Sequence, residues 1–142
     1  MKSLIFSLLA IILFLPACNN NDNPVSTISP TDVNNTVSSG TWRITYYWDT
    51  DHEETSNFTG YGFTFGAGNV VTATKTGSTV TGTWTTGTDD SKVKLYLAFA
   101  TPANFAELSD DWHVTERTAT RIKLQDVSGG NGGTDLLTFE KN

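Results

Sequence analysis

The sequence predicts an all-β protein, an eight-stranded antiparallel up-and-down meander that closes into a small barrel. Three observations lead to this prediction. Threonine is frequent and aromatic residues reach 11% of the chain, and both favour pleated strands over helices. From Gly40 onward, apolar and β-branched runs of seven to ten residues recur between short turn-like segments. No stretch of this region has a sustained helical period.

The strands are predicted in chain order at residues 41–49, 58–65, 69–75, 78–86, 92–99, 112–118, 120–127 and 135–141. The connections at 66–68, 77–78 and 87–90 are short, so strands that are adjacent in the chain are expected to pair antiparallel. Only residues 102–108 are expected to form a helical turn. Because closure removes exposed sheet edges, a barrel is favoured over the alternative, a two-sheet β-sandwich.

Alternation of apolar and polar residues predicts which side chains face the barrel interior. The predicted inward residues are Trp42, Ile44, Tyr46, Trp48, Phe63, Phe65, Val80, Gly82, Trp84, Val93, Leu95, Leu97, Phe99, Trp112, Val114, Glu116, Ile122, Leu124, Leu137 and Phe139. A buried carboxylate needs a partner, so Glu116 either orients a ligand or reaches solvent from its strand end. Since an eight-stranded barrel is only just wide enough for its own side chains, a packed core is favoured over an aromatic-lined cavity.

The first eighteen residues predict export and lipid anchoring. Lys2 precedes a twelve-residue apolar run at 4–15, which is too short to cross about 30 Å of hydrocarbon as a helix. It has the layout of a signal peptide, expected at residues 1–17. Residues 15–18, Leu-Pro-Ala-Cys, resemble the lipobox of bacterial lipoproteins, in which the cysteine carries fatty acyl chains such as palmitate. We therefore expect an anchor at Cys18 in the cell envelope, in the outer membrane; the alternative is an ordinary signal peptide that leaves a free thiol.

Residues 18–39 are predicted to be a lipid-anchored, disordered tether. They are almost all Asn, Asp, Ser, Thr and Pro, a composition that cannot assemble a core. A flexible segment of about twenty residues has a reach of roughly 25 Å. The folded β domain is expected at residues 40–142, as a monomer.

Charge and cysteine usage exclude some classes of partner. Removal of residues 1–17 removes Lys2 and leaves eight basic and fifteen acidic residues, a net charge of −7. Such a surface repels phosphate backbones, so nucleic acid is not an expected partner. Cys18 is the only cysteine, and neither an intrachain disulfide nor a cysteine-based metal site is expected.

Two segments of the domain carry a family resemblance. Gly-Thr-Trp at 40–42 opens the first strand, and a C-terminal stretch runs from Leu-Ser-Asp-Asp-Trp at 108–112 to Gly-Gly-Asn-Gly-Gly-Thr-Asp at 129–135. Together they resemble the lipocalin-like lipoproteins of Bacteroidota, over roughly residues 38–142. The resemblance implies a small anchored lipocalin-like barrel. Gly-x-Trp is also the first lipocalin signature, in which the Trp, here Trp42, closes the barrel base beneath a basic residue.

Long loops are predicted to crowd one end of the barrel. Successive connections of a meander alternate between its two ends, and the long ones, at 50–57, 100–111 and 128–134, fall at the same end. This rim gathers Asp49, Asp51, His52, Glu53, Glu54, Glu107, Asp110, Asp111 and Asp135, with His113 close by. Oxygen ligands at this density bind Ca²⁺, but a solvated rim without metal is favoured. The tether leaves from the opposite, bare end, so the rim is expected to point away from the membrane.

The residues favour a non-catalytic binding module. Neither histidine lies in a catalytic motif and Cys18 is assigned to lipid, so no catalytic residue, metal or cofactor is expected. In the leading hypothesis the barrel takes up a small apolar or amphipathic ligand. The expected contact residues are Trp42, Tyr46, Trp48, Trp84, Trp112 and Glu116. The alternative is a structural or protein-interaction lipoprotein with a solid core.

Overall fold

The computed structural model describes residues 27–128 and 133–142. The strands are β1 Trp42–Asp49, β2 His52–Glu53, β3 Gly62–Phe65, β4 Val70–Lys75, β5 Ser78–Asp89, β6 Lys92–Ala98, β7 Asp110–Arg117, β8 Arg121–Val127 and β9 Thr134–Lys141. The helices are α1 Pro30–Val37 and α2 Ala103–Ala106, with 3-10 turns at Thr55–Phe58 and Ala67–Asn69. In these two described ranges, no helix has the length and apolar character needed to cross a membrane.

Eight of the strands form a closed antiparallel barrel. From β3 to β9 each strand pairs with the next one along the chain, and β1 closes the barrel by pairing with both β9 and β3. The closing seam runs from Trp42 opposite Lys141 to Trp48 opposite Leu136. The two-residue β2 adds a small hairpin to the end of β1. The predicted eight-stranded up-and-down barrel is confirmed, and the alternative sandwich is not formed.

The predicted strands match the observed ones except at a few ends. β5 extends to Asp89, three residues beyond its predicted end. The second predicted strand begins too early, because Phe58 lies in a 3-10 turn and the strand starts at Gly62. Phe58 is nevertheless buried, so its apolar character reflects packing rather than strand pairing.

Two β-bulges change which residues face the interior. The register of β1 against β9 shifts between Ile44 and Tyr46, and that of β7 against β8 shifts between Val114 and Glu116. A bulge inserts one unpaired residue, so the side chains beyond it exchange faces. Beyond the bulge in β1, the residue that faces the interior is consequently Tyr47, which is 1% exposed.

The predicted inward orientation is therefore wrong for the three residues beyond the bulges. Tyr46 is 36% exposed, Trp48 is half-buried, and the side chain of Glu116 is 30% exposed. Of the remaining predicted inward residues, Val93 is half-buried and the others are buried, which confirms the alternation wherever no bulge interrupts it.

Helix α1 covers the base of the barrel. The Ser29 hydroxyl accepts a hydrogen bond from the Asp32 amide at 3.2 Å, and the Asp32 carboxylate accepts one from the Ser29 amide at 3.3 Å. This capping box, with Pro30 at the first helical position, starts the helix. Val33 and Val37, four residues apart on one face, are buried in the core. The predicted disorder is therefore wrong over this helix, and the end predicted to be bare is covered.

Trp42 joins this helix to the barrel. Its indole N–H donates to the carbonyl oxygen of Val37 at 2.9 Å, and the ammonium group of Lys141 lies 5.5 Å from its ring centroid. The end of β9 thus places a cation over the ring of the tryptophan that opens β1. Cys18, the rest of the predicted tether to residue 26 and the predicted signal peptide lie outside the described residues.

Gly82 permits close packing between β5 and its neighbours. Its replacement by alanine is expected to lower the free energy of unfolding. A Cβ at this position would lie 2.5 Å from the carbonyl oxygen of Ala98 and 2.5 Å from the ring of Phe99. Overpacking of this kind lowers the free energy of unfolding by about 1–3 kcal/mol, which urea denaturation would measure. Gly66→Ala is the control, because its nearest atom would be 3.4 Å away. Equal losses in the two variants would contradict the packing described here.

Candidate functional site

The rim end of the barrel is closed by Phe105, which α2 carries into the core. Phe105 is fully buried, and its ring centroid lies 5.3 Å from that of Phe58, 5.0 Å from Tyr61 and 5.4 Å from Phe99. All three contacts are edge-to-face, an arrangement that stabilises aromatic pairs by about 0.5–1.5 kcal/mol beyond their buried area. The mouth through which a ligand was expected to enter is filled by aromatic side chains.

Three of the six predicted ligand-binding residues are core residues with satisfied polar groups. Trp42, Trp84 and Trp112 are at most 6% exposed. Each indole N–H donates to a backbone carbonyl oxygen: Trp42 to Val37 at 2.9 Å, Trp84 to Gly66 at 3.1 Å and Trp112 to Leu108 at 2.9 Å. Each bond ties a covering segment to the barrel, namely α1, the β3–β4 turn and the loop after α2. These tryptophans hold the ends of the barrel closed.

The other three predicted residues lie on the outer wall. The indole N–H of Trp48 donates to the Thr50 carbonyl at 3.2 Å. The Glu116 carboxylate accepts from Arg121 at 2.7 Å and lies 3.3 Å from the ammonium group of Lys123. These bonds, that to Arg121 foremost, lower the pKa of the Glu116 carboxyl group. The structure thus divides the six predicted residues between the core and the outer surface.

A groove runs along the outer wall where β7, β8, β9 and β1 lie side by side. Its lining is Tyr46, Thr115, Lys123, Leu124, Leu136 and Thr138, and its volume is about 350 Å³. We call it the outer-wall groove. Tyr46 and Leu136 supply its apolar surface, and Lys123 is the one charged residue in its lining. Leu124 lies beneath the groove with its side chain buried in the core. Sequence alternation placed Tyr46 inside the barrel and for that reason missed this groove.

The three long connections meet at one rim, as predicted, wherever the structure describes them. The Thr50 amide donates to the Asp135 carboxylate at 2.7 Å, which joins the first long loop to the third. The Tyr47 hydroxyl donates to the Glu107 carbonyl at 3.1 Å, which joins β1 to the second. The glycine-rich part of the third loop, 129–132, lies outside the described residues.

Two groups of acidic residues lie on this part of the surface. Asp49, Glu54 and Glu107 form one, and Asp110, Asp111 and Asp126 form the other; within each, one carboxylate oxygen per residue lies within 4.8 Å of the others. All six residues are exposed or half-buried. Since exposed carboxylates cluster commonly without a metal, this geometry alone does not assign a Ca²⁺ site.

Lys94 is a buried cation, although it lies in the chain between Val93 and Leu95, which are predicted to face inward. It is 9% exposed, and its ammonium group donates to the Asp111 carbonyl at 2.7 Å and to the Asp111 carboxylate at 3.1 Å. The pairing lowers the pKa of the Asp111 carboxyl group. Burial raises the pKa of the adjacent Asp110 carboxyl group. Lys94, Asp111 and His113 line a polar surface pocket of about 260 Å³, whose lining carries four aspartates and two lysines and is therefore net negative.

The two histidines have opposite surroundings. His52 lies between two carboxylates, with Nδ1 2.6 Å from Asp51 and Nε2 2.7 Å from Glu54, and these hydrogen bonds raise its pKa. His113 is partly buried, and this burial, together with the nearby charges of Lys92 and Lys94, lowers its pKa.

The two imidazoles are therefore expected to titrate on opposite sides of the ordinary histidine pKa of 6.5. The stabilisation that His52 provides is complete below pH 6.5 and is lost as pH rises through its raised pKa. The contribution of His113 is present above pH 6.5 and is lost as pH falls through its lowered pKa. Proton NMR of the ring resonances, assigned with His52→Asn, would measure both values. The reverse order would contradict the structure.

Comparisons with known proteins give a likeness of fold. No family model matches the sequence, and no curated protein matches it. A crystal structure of a DUF4847 family protein from Bacteroides vulgatus ATCC 8482 is similar, with a TM-score of 0.52 at 17% sequence identity. The match covers 78% of this chain and 97% of that chain. At this level of identity the likeness concerns the fold alone, so the chain shares a small β fold with a protein of Bacteroides.

Proposed function

We propose that this chain is a lipid-anchored lipoprotein of the cell envelope whose barrel is a solid, non-catalytic scaffold that works through its outer surface. The observation that carries the proposal is the closure of both ends of the barrel by buried aromatic side chains. Phe105 closes the rim end and Trp42 ties α1 across the base. Of the two functions that the sequence leaves open, these contacts favour the structural or protein-interaction lipoprotein over a carrier with its ligand inside the barrel.

The free-energy cost of entering the barrel also favours a solid scaffold over a carrier. A ligand that enters from the rim must first displace Phe105, whose ring is packed against three other aromatic rings in edge-to-face contacts. Loss of such a buried ring costs roughly 3–5 kcal/mol. That cost corresponds to a reduction in affinity of about two to four orders of magnitude before the ligand makes any contact.

The distribution of charge supports an orientation on the membrane. Six basic and five acidic residues lie around the base, its β5–β6 turn and the adjoining wall, at Arg43, Lys92, Arg117, Arg121, Lys123, Lys141, Asp32, Asp89, Asp90, Glu116 and Glu140. The other described residues include two basic and nine acidic ones. The base is thus close to neutral and the remainder strongly negative. Anionic headgroups attract lysine and arginine by about 1 kcal/mol each, and less where these are paired.

The tether approaches the barrel through α1, on the same end, which is less acidic than the rim. In this proposal the anchor at Cys18 holds that base towards the lipid, and the acidic rim points away from it. The rim and the outer wall are then the surfaces available to other envelope components.

A neutral apolar dye tests the proposal. The probe is N-phenylnaphthylamine, and the protein is the complete mature chain, residues 18–142, with Cys18→Ala to avoid acylation. We expect no saturable binding that persists after Tyr46→Ala, which removes the exposed ring of the outer-wall groove. Saturable binding of one dye per chain that Tyr46→Ala leaves unchanged and Phe105→Ala strengthens would place the ligand inside the barrel and overturn the solid scaffold.

A further inference from the structure

We propose that the outer-wall groove, lined by Tyr46, Thr115, Lys123, Leu124, Leu136 and Thr138, binds a small amphipathic molecule with an apolar body and an anionic head group. The inference rests on the proposed function, since it takes the outer surface of the solid barrel to be the part that recognises partners.

The size and lining of the groove set the class of ligand. Its volume of about 350 Å³ lies at the lower end of the range for small-molecule sites, roughly 300–1,000 Å³. Leu136, which is half-buried, lies in its lining beside the ring of Tyr46, which is 36% exposed and so retains surface for contact. Apolar walls with a few polar groups are typical of such sites. The apolar part of the ligand would lie against these two residues.

Two independent bulges shape this one stretch of wall. The bulge in β1 turns Tyr46 outward into the groove, where uninterrupted alternation would have buried it. The bulge in β7 places Thr115 in the lining and turns Glu116 outward, within 3.3 Å of Lys123. Bulges are over-represented beside binding sites, where they re-aim side chains. Here both bulges direct side chains to the same groove.

Charge selects an anionic head group. Lys123 and Arg121 both pair with Glu116, so the three groups carry a net charge of +1. The side chain of Lys123 is 47% exposed and has donor capacity beyond this single ion pair. The chain as a whole carries a net charge of −6, which makes this part of the wall unlike the rest of the surface. A carboxylate, sulfonate or phosphate would accept a charge-assisted hydrogen bond from Lys123.

Fluorescence titration with anilinonaphthalene sulfonate, an anionic amphipathic dye, tests the inference on the mature chain with Cys18→Ala. We expect saturable binding of one dye per chain. Lys123→Gln should weaken it roughly three- to tenfold through loss of the ion pair. Tyr46→Ala should weaken it about tenfold through loss of ring contact. Lys92→Gln and Tyr96→Ala are the matched controls, a lysine and a tyrosine on the outer wall outside the groove, and should leave the affinity unchanged.

The neutral dye N-phenylnaphthylamine separates the two parts of the inference. Lys123→Gln should leave any binding of this dye unchanged, whereas Tyr46→Ala should weaken it. Absence of saturable binding of the anionic dye would overturn the groove assignment and leave the solid scaffold intact. Equal binding by the groove variants and the controls would overturn it too, and if Phe105→Ala also strengthened that binding, the proposed function would fail with it.

Discussion

Replacement of Phe105 by alanine is expected to lower the free energy of unfolding by about 3–5 kcal/mol. The ring is fully buried, and its centroid lies within 6.0 Å of the rings of Phe58, Tyr61, Phe63 and Phe99. Its removal leaves a cavity at the rim end that a four-residue helix and its loop cannot refill. Urea denaturation followed by tryptophan fluorescence would measure the loss.

Two further variants in α2 provide a graded comparison and a control for Phe105→Ala. Phe105→Leu keeps an apolar side chain at the rim end of the barrel and should lower the free energy of unfolding by less than the alanine variant does. Asn104→Ala changes a half-buried neighbour in α2 and should alter the free energy of unfolding by no more than about 0.5 kcal/mol. If Phe105→Ala cost no more than Asn104→Ala, Phe105 would not be the closure of the barrel.

Replacement of Cys18 by alanine is expected to move nearly all of the protein from the detergent phase to the aqueous phase. A single acyl chain binds a membrane only marginally, whereas two or more hold a protein firmly. Phase partitioning and metabolic labelling with a palmitate analogue would measure both the location and the modification.

Asn21→Ala is the control for the anchor. It alters a polar residue three positions beyond the cysteine and leaves the lipobox-like segment 15–18 intact, so partitioning and labelling should be unchanged. A Cys18→Ala protein that still partitions with membranes would show that something other than an acyl group holds it there.

The number, order and pairing of the strands were predictable because each strand carries its own alternation and short turns separate most neighbours. The predicted inward orientation was wrong for Tyr46, Trp48 and Glu116, which follow the two bulges. A bulge adds one residue to a strand without changing its composition. In β1 the run Tyr46, Tyr47 and Trp48 is aromatic throughout, so hydrophobicity alone does not reveal which rings face inward.

Helix α1 was missed for a different reason. Its composition is polar, and only Val33 and Val37 mark its buried face. A local signal was nevertheless present, since Ser29 and Asp32 have the spacing of a capping box and Pro30 suits the first turn. The helix is only eight residues long, and short helices depend mainly on tertiary packing. Its presence therefore follows from contact with the barrel rather than from propensity.

The outer-wall groove was less predictable than the fold. Its residues lie on four strands, and two bulges determine which of their side chains face outward. Phe105 illustrates the same difficulty inside the barrel. The sequence indicates a helical turn at 102–108, but only the folded structure shows that this turn points an aromatic ring into the core.

The filled interior is tested most directly by the crystal structure of the protein under xenon pressure, because xenon occupies empty apolar cavities. Leu95→Ala, which removes a fully buried side chain from β6, provides the matched cavity-containing variant. We expect no xenon inside the wild-type barrel and one site beside position 95 in the variant. A xenon site among Trp42, Phe105 and Trp112 in the wild-type protein would contradict the solid core.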